Sequence, residues 1–235
     1  MKEPVFSQIA PYSKKDRALQ ALREAIVSGK LKPGDPIVES RVARELGVGQ
    51  PLIREALLDL EHQGFVQRVP HRGTSVTKLG PGEIAQIQRL RMELESLAVE
   101  WARERVTPGV ATELRELVGG MRQATLEADL SKFNDFDLAL HRRIWQLSGN
   151  KYLQDALERA VVPLLTFFYL RSGKIGELHV KSVDHHMALV DALASDDRSR
   201  SKAHGALGAL KDQCEALTPS PSEADPKSKL RYEMV

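Results

Sequence analysis

Residues 38–60 read VESRVARELGVGQPLIREALLDL, and this stretch decides the fold of the N-terminal part of the chain. It predicts two short helices joined by a tight turn at Gly47, because glycine readily adopts the left-handed conformation that ends a helix. Pro51 suits the first turn of the second helix, where its missing N–H costs no hydrogen bond. Apolar residues recur at helical spacing in that helix: Leu52, Ile53, Ala56, Leu57 and Leu60. The pattern is that of a helix-turn-helix, whose second helix enters the major groove of DNA, although an ordinary helical hairpin would show the same spacing.

The neighbouring segments extend this motif into a winged helix. Upstream, residues 14–28 form an amphipathic helix in our prediction, and the turn dipeptide Pro33-Gly34 follows it. Downstream, residues 65–69 and 74–77 are rich in strand-forming side chains and flank the turn Pro70-His71-Arg72-Gly73. Three helices followed by a β-hairpin are typical of a winged helix.

The order and spacing of these segments resemble a known family. The run ALREAIVSGKLKPGDPIVES, followed by VARELGVGQPLIREALLDLEHQGFVQRVPHRGTSV, resembles the N-terminal domain of the GntR family of bacterial transcription regulators. The resemblance covers about residues 15–78. It implies a transcription regulator that binds double-stranded operator DNA through this domain.

The resemblance also indicates which residues contact DNA. Where the family usually has Ser-Arg after LGV, this chain has Gly49-Gln50, and glutamine favours adenine whereas arginine favours guanine. We therefore expect an operator that differs from the family's usual one. The candidate DNA-binding residues are Arg41, Gln50, Arg54 and, in the wing, His71, Arg72 and Gly73. The alternative is that the helix arginines are solvated surface charges and that His71 has no contact with DNA.

The composition limits the classes of protein to which the chain can belong. Among its 235 residues, no apolar run approaches the roughly 20 needed to span a bilayer. No apolar segment follows Met1 and Cys214 is the only cysteine, so we expect a cytoplasmic protein without disulfides or a membrane partner. Residues 1–78 carry 13 lysine and arginine residues against 9 acidic ones, whereas the remainder carries 21 against 23. This asymmetry suits nucleic-acid binding by the N-terminal end.

The chain is mostly α-helical in this prediction and has four parts. An N-terminal arm (1–12) precedes the winged helix-turn-helix with its small β-hairpin wing (13–78). An all-α helical bundle (79–218) follows, and the proline-rich polar tail (219–235) is predicted to be disordered. Helical periodicity in the bundle predicts helices at residues 84–105, 110–128, 132–147, 152–171, 177–194 and 200–217.

The helical bundle contains residues of the types that bind metals. Asp137 and His141 are four residues apart, so both project from one face of a helix, while His186 and His204 lie on later helices. One carboxylate and three imidazoles brought together would suit a divalent transition metal such as zinc or nickel. Surface or capping roles are the alternative, since sequence alone does not bring these residues together.

A second resemblance bears on this cluster. The segment FDLALHRRIWQLSGNKYL, with HHMALVDAL downstream, is similar to the C-terminal ligand domain of the GntR subgroup named after the fatty-acid regulator FadR. The resemblance implies a metal held by one Asp and three His, completed by a small carboxylate effector, and Asp137, His141 and His186 fall on three ligand positions. The fourth falls on Gly208 in an ungapped match, and His204 lies one turn earlier. Either His204 is the ligand or the site has three protein ligands; another branch of the family binds acyl-coenzyme A without metal.

The function predicted from both resemblances is a homodimeric regulator, and more specifically a repressor, on a palindromic operator. Residues 79–218 would bind the effector and form the dimer, and Arg91 would bind the effector carboxylate unless it forms a salt bridge with Glu95. A metal-dependent hydrolase using the same cluster is the alternative, but no HExxH, GxSxG or Walker-type motif is present. The chain is therefore not predicted to be an enzyme. A third interpretation makes the metal purely structural.

Overall fold

A computed structural model describes residues 14–69, 73–195, 205 and 207–208. It divides into two compact units between Lys78 and Leu79. The predicted arm (1–12) and the predicted disordered tail (219–235) both lie outside the described residues.

The N-terminal unit is a three-helix motif completed by a small sheet. Its helices are α1 (Lys14–Val27), α2 (Glu39–Leu46) and α3 (Gln50–His62), and its strands are β1 (Pro36–Ile37), β2 (Val66–Val69) and β3 (Gly73–Val76). α3 packs on α1, and four of its five predicted apolar positions are fully buried: Ile53, Ala56, Leu57 and Leu60. The fifth, Leu52, is only partly buried. Gly47 ends α2 with a φ of 64°, as its position in the sequence predicts.

The sheet contains the predicted β-hairpin of the wing and one further strand. β2 and β3 form the predicted antiparallel hairpin, and β1 pairs with the other edge of β3, so the order is β1-β3-β2. The sequence did not reveal β1 because two residues are too few to show an alternating pattern. The unit is the predicted winged helix-turn-helix.

The C-terminal unit is all-α in its described part, which confirms the predicted fold class. Its helices are α4 (Pro81–Ala102), α5 (Pro108–Leu126), α6 (Leu130–Leu147), α7 (Lys151–Ser172) and α8 (Glu177–Ala194). The predicted helix at 200–217 lies largely outside the described residues, although Gly205, Leu207 and Gly208 are helical. None of the described helices has the length and apolar character required to cross a membrane.

The helices of this unit pack around an interior that contains both apolar and polar side chains. α6 packs against α4, α5 and α7, and α5 also packs against α8. Trp145 and Leu140 are among the large side chains that are fully buried. Charged and polar side chains are buried as well: Gln88, Arg91 and Glu95 on α4, Asn134 and His141 on α6, Thr166 on α7, and His179, Ser182 and His186 on α8. Burying polar groups costs free energy unless they find partners. The many buried polar side chains on facing helices therefore make this region the candidate functional site.

α4 also carries apolar side chains on its outer face. Leu90, Leu97 and Trp101 recur at helical spacing in the helix predicted at 84–105, and their exposed fractions are 47%, 39% and 36%. The buried face of α4 lies on another side of the helix and includes the polar residues named above. The periodicity did not reveal that these three residues face outward, whereas Ile84 and Ala98 of the same helix are fully buried.

Candidate functional site

The helix predicted to contact DNA begins at Gln50, the position where the family that the sequence resembles usually has arginine. α3 starts at Gln50, which is exposed, and Gly49 caps it without a side-chain hydrogen bond. Pro51 lies in the first turn, as expected. Gln50 is therefore exposed at the N-terminus of α3, and its contact with a base stays a prediction.

The two candidate arginines form ion pairs on the surface of the N-terminal unit. The Arg54 guanidinium donates to the Glu39 carboxylate of α2 at 2.9 Å, and Arg41 donates to Glu45 at 2.8 Å. Both arginines are largely exposed, and pairs of this kind are weak because water screens them. A phosphate could therefore replace either carboxylate at small cost.

The wing is only partly described. Gly73 opens β3 with a φ of 84°, a conformation that favours glycine, and no atom of the described residues lies close to the position that a Cβ would take. His71 and Arg72 lie outside the described residues. Their contact with DNA stays a prediction.

In the C-terminal unit, the structure brings three of the four predicted metal ligands together. The Asp137, His141 and His186 ligand atoms all lie within 4.8 Å of one another. His186 Nε2 is 3.2 Å from His141 Nε2 and 3.3 Å from Asp137 Oδ1. Both imidazoles are buried, and Asp137 is partly buried. The fourth predicted ligand, His204, lies outside the described residues.

The hydrogen bonds of the two imidazoles aim their Nε2 atoms at the centre of this cluster. His186 Nδ1 lies 2.8 Å from the Ser182 carbonyl oxygen and can only donate its proton to it. His141 Nδ1 donates in the same way to the Glu95 carboxylate at 2.9 Å. Both Nε2 atoms therefore point into the cluster, and the 3.2 Å between them suits either a shared proton or a cation bound to both.

Glu95 holds this arrangement together. Its carboxylate accepts from Arg91 Nε at 2.7 Å and from Trp145 Nε1 at 3.2 Å, in addition to His141. Burial by itself would raise the pKa of the Glu95 carboxyl, but Arg91 and His141 outweigh it and hold that pKa well below its usual range. Glu95 is therefore ionised, and it fixes the tautomer and the ring orientation of His141.

The second imidazole is kept neutral. Burial lowers the pKa of His186 to about 4, against the opposing attraction of the Asp137 carboxylate. A neutral imidazole with Nδ1–H bonded to a carbonyl is the form that binds a metal through Nε2.

The donor set fits a divalent transition metal. Two imidazoles and one carboxylate, with a hydrogen-bond acceptor that orients each imidazole, are the arrangement typical of such sites. Gly208, the alternative fourth position, has no side chain to offer. The three described ligands therefore leave coordination positions for His204, water or an effector, and a metal there would attract an anionic oxygen ligand.

The sequence did not predict that Glu95 and Ser182 support the two histidines of this site. Glu95 drew attention only as a possible partner of Arg91, and that ion pair is present, with both side chains buried. Arg91 therefore uses its Nε for Glu95, and its contact with an effector stays a prediction. Ser182 supports His186 through its backbone oxygen at 2.8 Å, and its hydroxyl oxygen lies 3.2 Å from the same Nδ1. A serine four residues before a histidine is too common a pattern to have predicted this role.

Comparison with known protein families divides the chain in the same order. Residues 14–76 match the model of bacterial regulatory proteins of the gntR family, and residues 86–206 match the FCD domain. The second match alone covers about half of the chain.

Individual relatives agree with these family matches. The HTH-type transcriptional regulator McbR of Escherichia coli K12 is 29% identical over 178 residues, covering 74% of this chain and 80% of that protein. The gluconate operon transcriptional repressor of Bacillus subtilis 168 is 25% identical over 188 residues, covering 78% and 76%. A solved structure of E. coli McbR/YncC has a TM-score of 0.66 at 26% identity, covering 88% of this chain and 97% of that one.

Proposed function

The chain belongs to the GntR family of transcription regulators with an FCD domain, and we propose that its helical unit binds a small carboxylate effector at a divalent metal. The metal would be held by Asp137, His141 and His186, with zinc or nickel as the candidates that suit these ligands. The observation that carries the proposal is the pair of buried Nε2 atoms 3.2 Å apart with Asp137 Oδ1 beside them, since one cation can bind all three atoms. A carboxylate would then occupy the remaining coordination positions.

In this proposal, each of the two units has a separate function. Residues up to Lys78 bind the operator through α3 and the wing, with Gln50 and Arg54 facing the DNA. Residues from Leu79 onward bind the effector and form a homodimer, which matches the two-fold symmetry of a palindromic operator. Leu90, Leu97 and Trp101 support dimerisation through α4, because spacings of seven and four residues are those of a seam between two packed helices.

Effector binding regulates the operator in this scheme. A ligand shifts the protein between two states only by as much as its affinities for those states differ. We propose that the effector-bound state has the lower operator affinity, as in a repressor released by its ligand. Among the relatives, the B. subtilis protein is named a repressor.

The test uses an operator duplex selected by the full-length protein from random DNA. We expect a palindromic duplex that binds two chains, and a small carboxylate that raises its dissociation constant at least about fivefold, the lower end of typical allosteric coupling. Fluorescence anisotropy measures both, with lactate, citrate and other small carboxylates as probes. A chelator should abolish the effect of the carboxylate. Operator affinity that no carboxylate changes would contradict the proposal, and a response to acyl-coenzyme A in chelated protein would favour the metal-free alternative.

The base preference at one operator position follows from Gln50. Replacing Gln50 with Arg should move the preferred base from adenine towards guanine, since a bidentate pair discriminates by about 1–3 kcal/mol, or roughly 5- to 150-fold. Competition between duplexes that differ at single positions measures the change. Arg41→Ala is the control, because loss of a phosphate contact weakens all duplexes alike. An unchanged base preference in Gln50→Arg would show that this residue does not read a base.

A further inference from the structure

The Arg54 side chain is held by a residue on a neighbouring helix. Its Nε and Nη2 both donate to Oε2 of Glu39, the first residue of α2, at 3.2 and 2.9 Å. Arg54 lies one helical turn beyond Gln50, so the two exposed side chains project from the same face of α3. The ion pair therefore ties α2 to the face of α3 that is predicted to contact DNA.

The backbone at Arg54 is held as well, by the first strand of the wing. Arg68 on β2 donates from Nη2 to the Arg54 carbonyl oxygen at 3.2 Å. Glu61, further along α3, accepts from the Arg68 backbone N–H at 3.3 Å and lies 3.6 Å from its guanidinium. Arg54 is thus fixed at its side chain from α2 and at its main chain from β2, whereas an arginine without such contacts samples many rotamers.

The contact with Glu39 leaves one edge of the Arg54 guanidinium available. The ion pair uses the edge formed by Nε and Nη2, and none of the described residues accepts from Nη1. A guanidinium donates two parallel hydrogen bonds through Nη1 and the outer N–H of Nη2, a geometry that matches O6 and N7 of guanine. Arg54 can therefore bind a base without giving up Glu39.

The environment of Glu39 disfavours a phosphate at the same place. Opening the Arg54–Glu39 pair or the Arg41–Glu45 pair costs little, but the carboxylates left behind differ. The Glu45 side chain is 61% exposed and can turn into water, whereas the Glu39 side chain is only 22% exposed and would stay beside the phosphate. The two negative charges would then repel each other. A base edge has no net charge and meets no such repulsion.

We propose that Glu39 is a positioning residue that determines specificity, because it holds Arg54 so that the free edge of the guanidinium reads a guanine instead of binding a phosphate. This inference rests on the proposed function, in which Arg54 faces the operator. The paired guanidinium adds no net charge to the surface, so it contributes little to the sequence-independent attraction of DNA. Its fixed orientation reduces the entropy lost when it contacts a base.

The test replaces Glu39 with Gln, which keeps the size of the side chain and removes its charge. Full-length protein is titrated with the operator duplex that it selects from random DNA, with variants of that duplex changed at one position each, and with a duplex of unrelated sequence. In the wild type, replacing the guanine read by Arg54 should weaken binding at least about fivefold. Arg54→Ala identifies this guanine, because its replacement no longer matters in that variant. Glu39→Gln should lose most of the same preference and keep the preferences at other positions.

The salt dependence of binding to the unrelated duplex gives a second readout. Without the Glu39 charge, Arg54 becomes an unpaired cation that should bind a phosphate. The slope of log affinity against log salt concentration should therefore steepen by about 0.9, the value for one further phosphate contact. Combining Glu39→Gln with Arg54→Ala should remove this increase. Glu45→Gln is the matched control, since it releases Arg41 in the same way but should leave every base preference unchanged.

The outcomes separate this inference from the proposed function. A guanine preference that Arg54→Ala removes but Glu39→Gln retains would overturn the inference and leave the operator contact of Arg54 standing. If Arg54→Ala changes neither base preference nor affinity, both fall. Thermal unfolding of Glu39→Gln should stay within a few degrees of the wild type, as expected for a solvent-screened pair. An equal loss of affinity for every duplex would show that Glu39 acts only through the fold, and would also overturn the inference.

Discussion

Replacing His186 with Ala should abolish metal binding by the helical unit. Wild-type protein purified without chelator should carry about one divalent ion per chain and the variant close to none, as elemental analysis measures. The reason is that His186 Nε2 faces both His141 Nε2 and Asp137 Oδ1, so no other described side chain replaces it at the centre of the cluster. Metal at a hundred times its dissociation constant should stabilise the wild type by about 2.7 kcal/mol and the variant by almost nothing.

The matched control for this variant is His185→Ala. His185 precedes His186 on α8 but is only half-buried and is not among the clustered ligands. Its variant should keep the metal and the thermal stabilisation that the metal provides. Full metal content in His186→Ala would contradict the site. Metal loss without any change in the response of operator affinity to carboxylates would instead favour a purely structural metal.

The sequence predicted the N-terminal unit well because its determinants are local. Helical spacing, Gly47 and the two strand-like segments each act within a few residues, so the winged helix followed without knowledge of distant contacts. The strand Pro36–Ile37 was missed because it has only two residues and because its partner, β3, lies far along the chain.

Part of the candidate metal centre could also be predicted from local spacing. Asp137 and His141 share a helix face by local spacing, but only the resemblance joined them to His186, 45 residues further on. Gln88 and Asn134 gave no signal, because a polar residue in an amphipathic helix is normally exposed. Only packing shows that they lie inside, whereas Leu90 and Leu97 lie outside.

The other large effect concerns Glu95, whose replacement with Gln should affect both stability and metal affinity. The Glu95 carboxylate is the counter-ion of Arg91 in a pair that is almost completely buried. Removing its charge should lower the free energy of unfolding by about 3–5 kcal/mol, since the buried guanidinium loses that counter-ion. Metal affinity should fall about 10- to 100-fold, because His141 loses the carboxylate that orients it. Chemical denaturation and metal titration measure the two effects.

A half-buried ion pair supplies the control for the stability effect. Arg142 and Glu158 join α6 to α7 with a contact of 3.0 Å, and about a third of each side chain is exposed. Glu158→Gln should cost under about 1 kcal/mol and leave metal affinity unchanged.

A double variant separates the two roles of Glu95. Replacing Arg91 and Glu95 together with Leu removes both buried charges, so much of the lost stability should return relative to Glu95→Gln. Metal affinity should stay low, because His141 Nδ1 still lacks the acceptor that holds its ring and tautomer in place. If affinity recovers along with stability, Glu95 acts on the metal only through the fold; if it stays low in a stable protein, Glu95 positions the ligand directly.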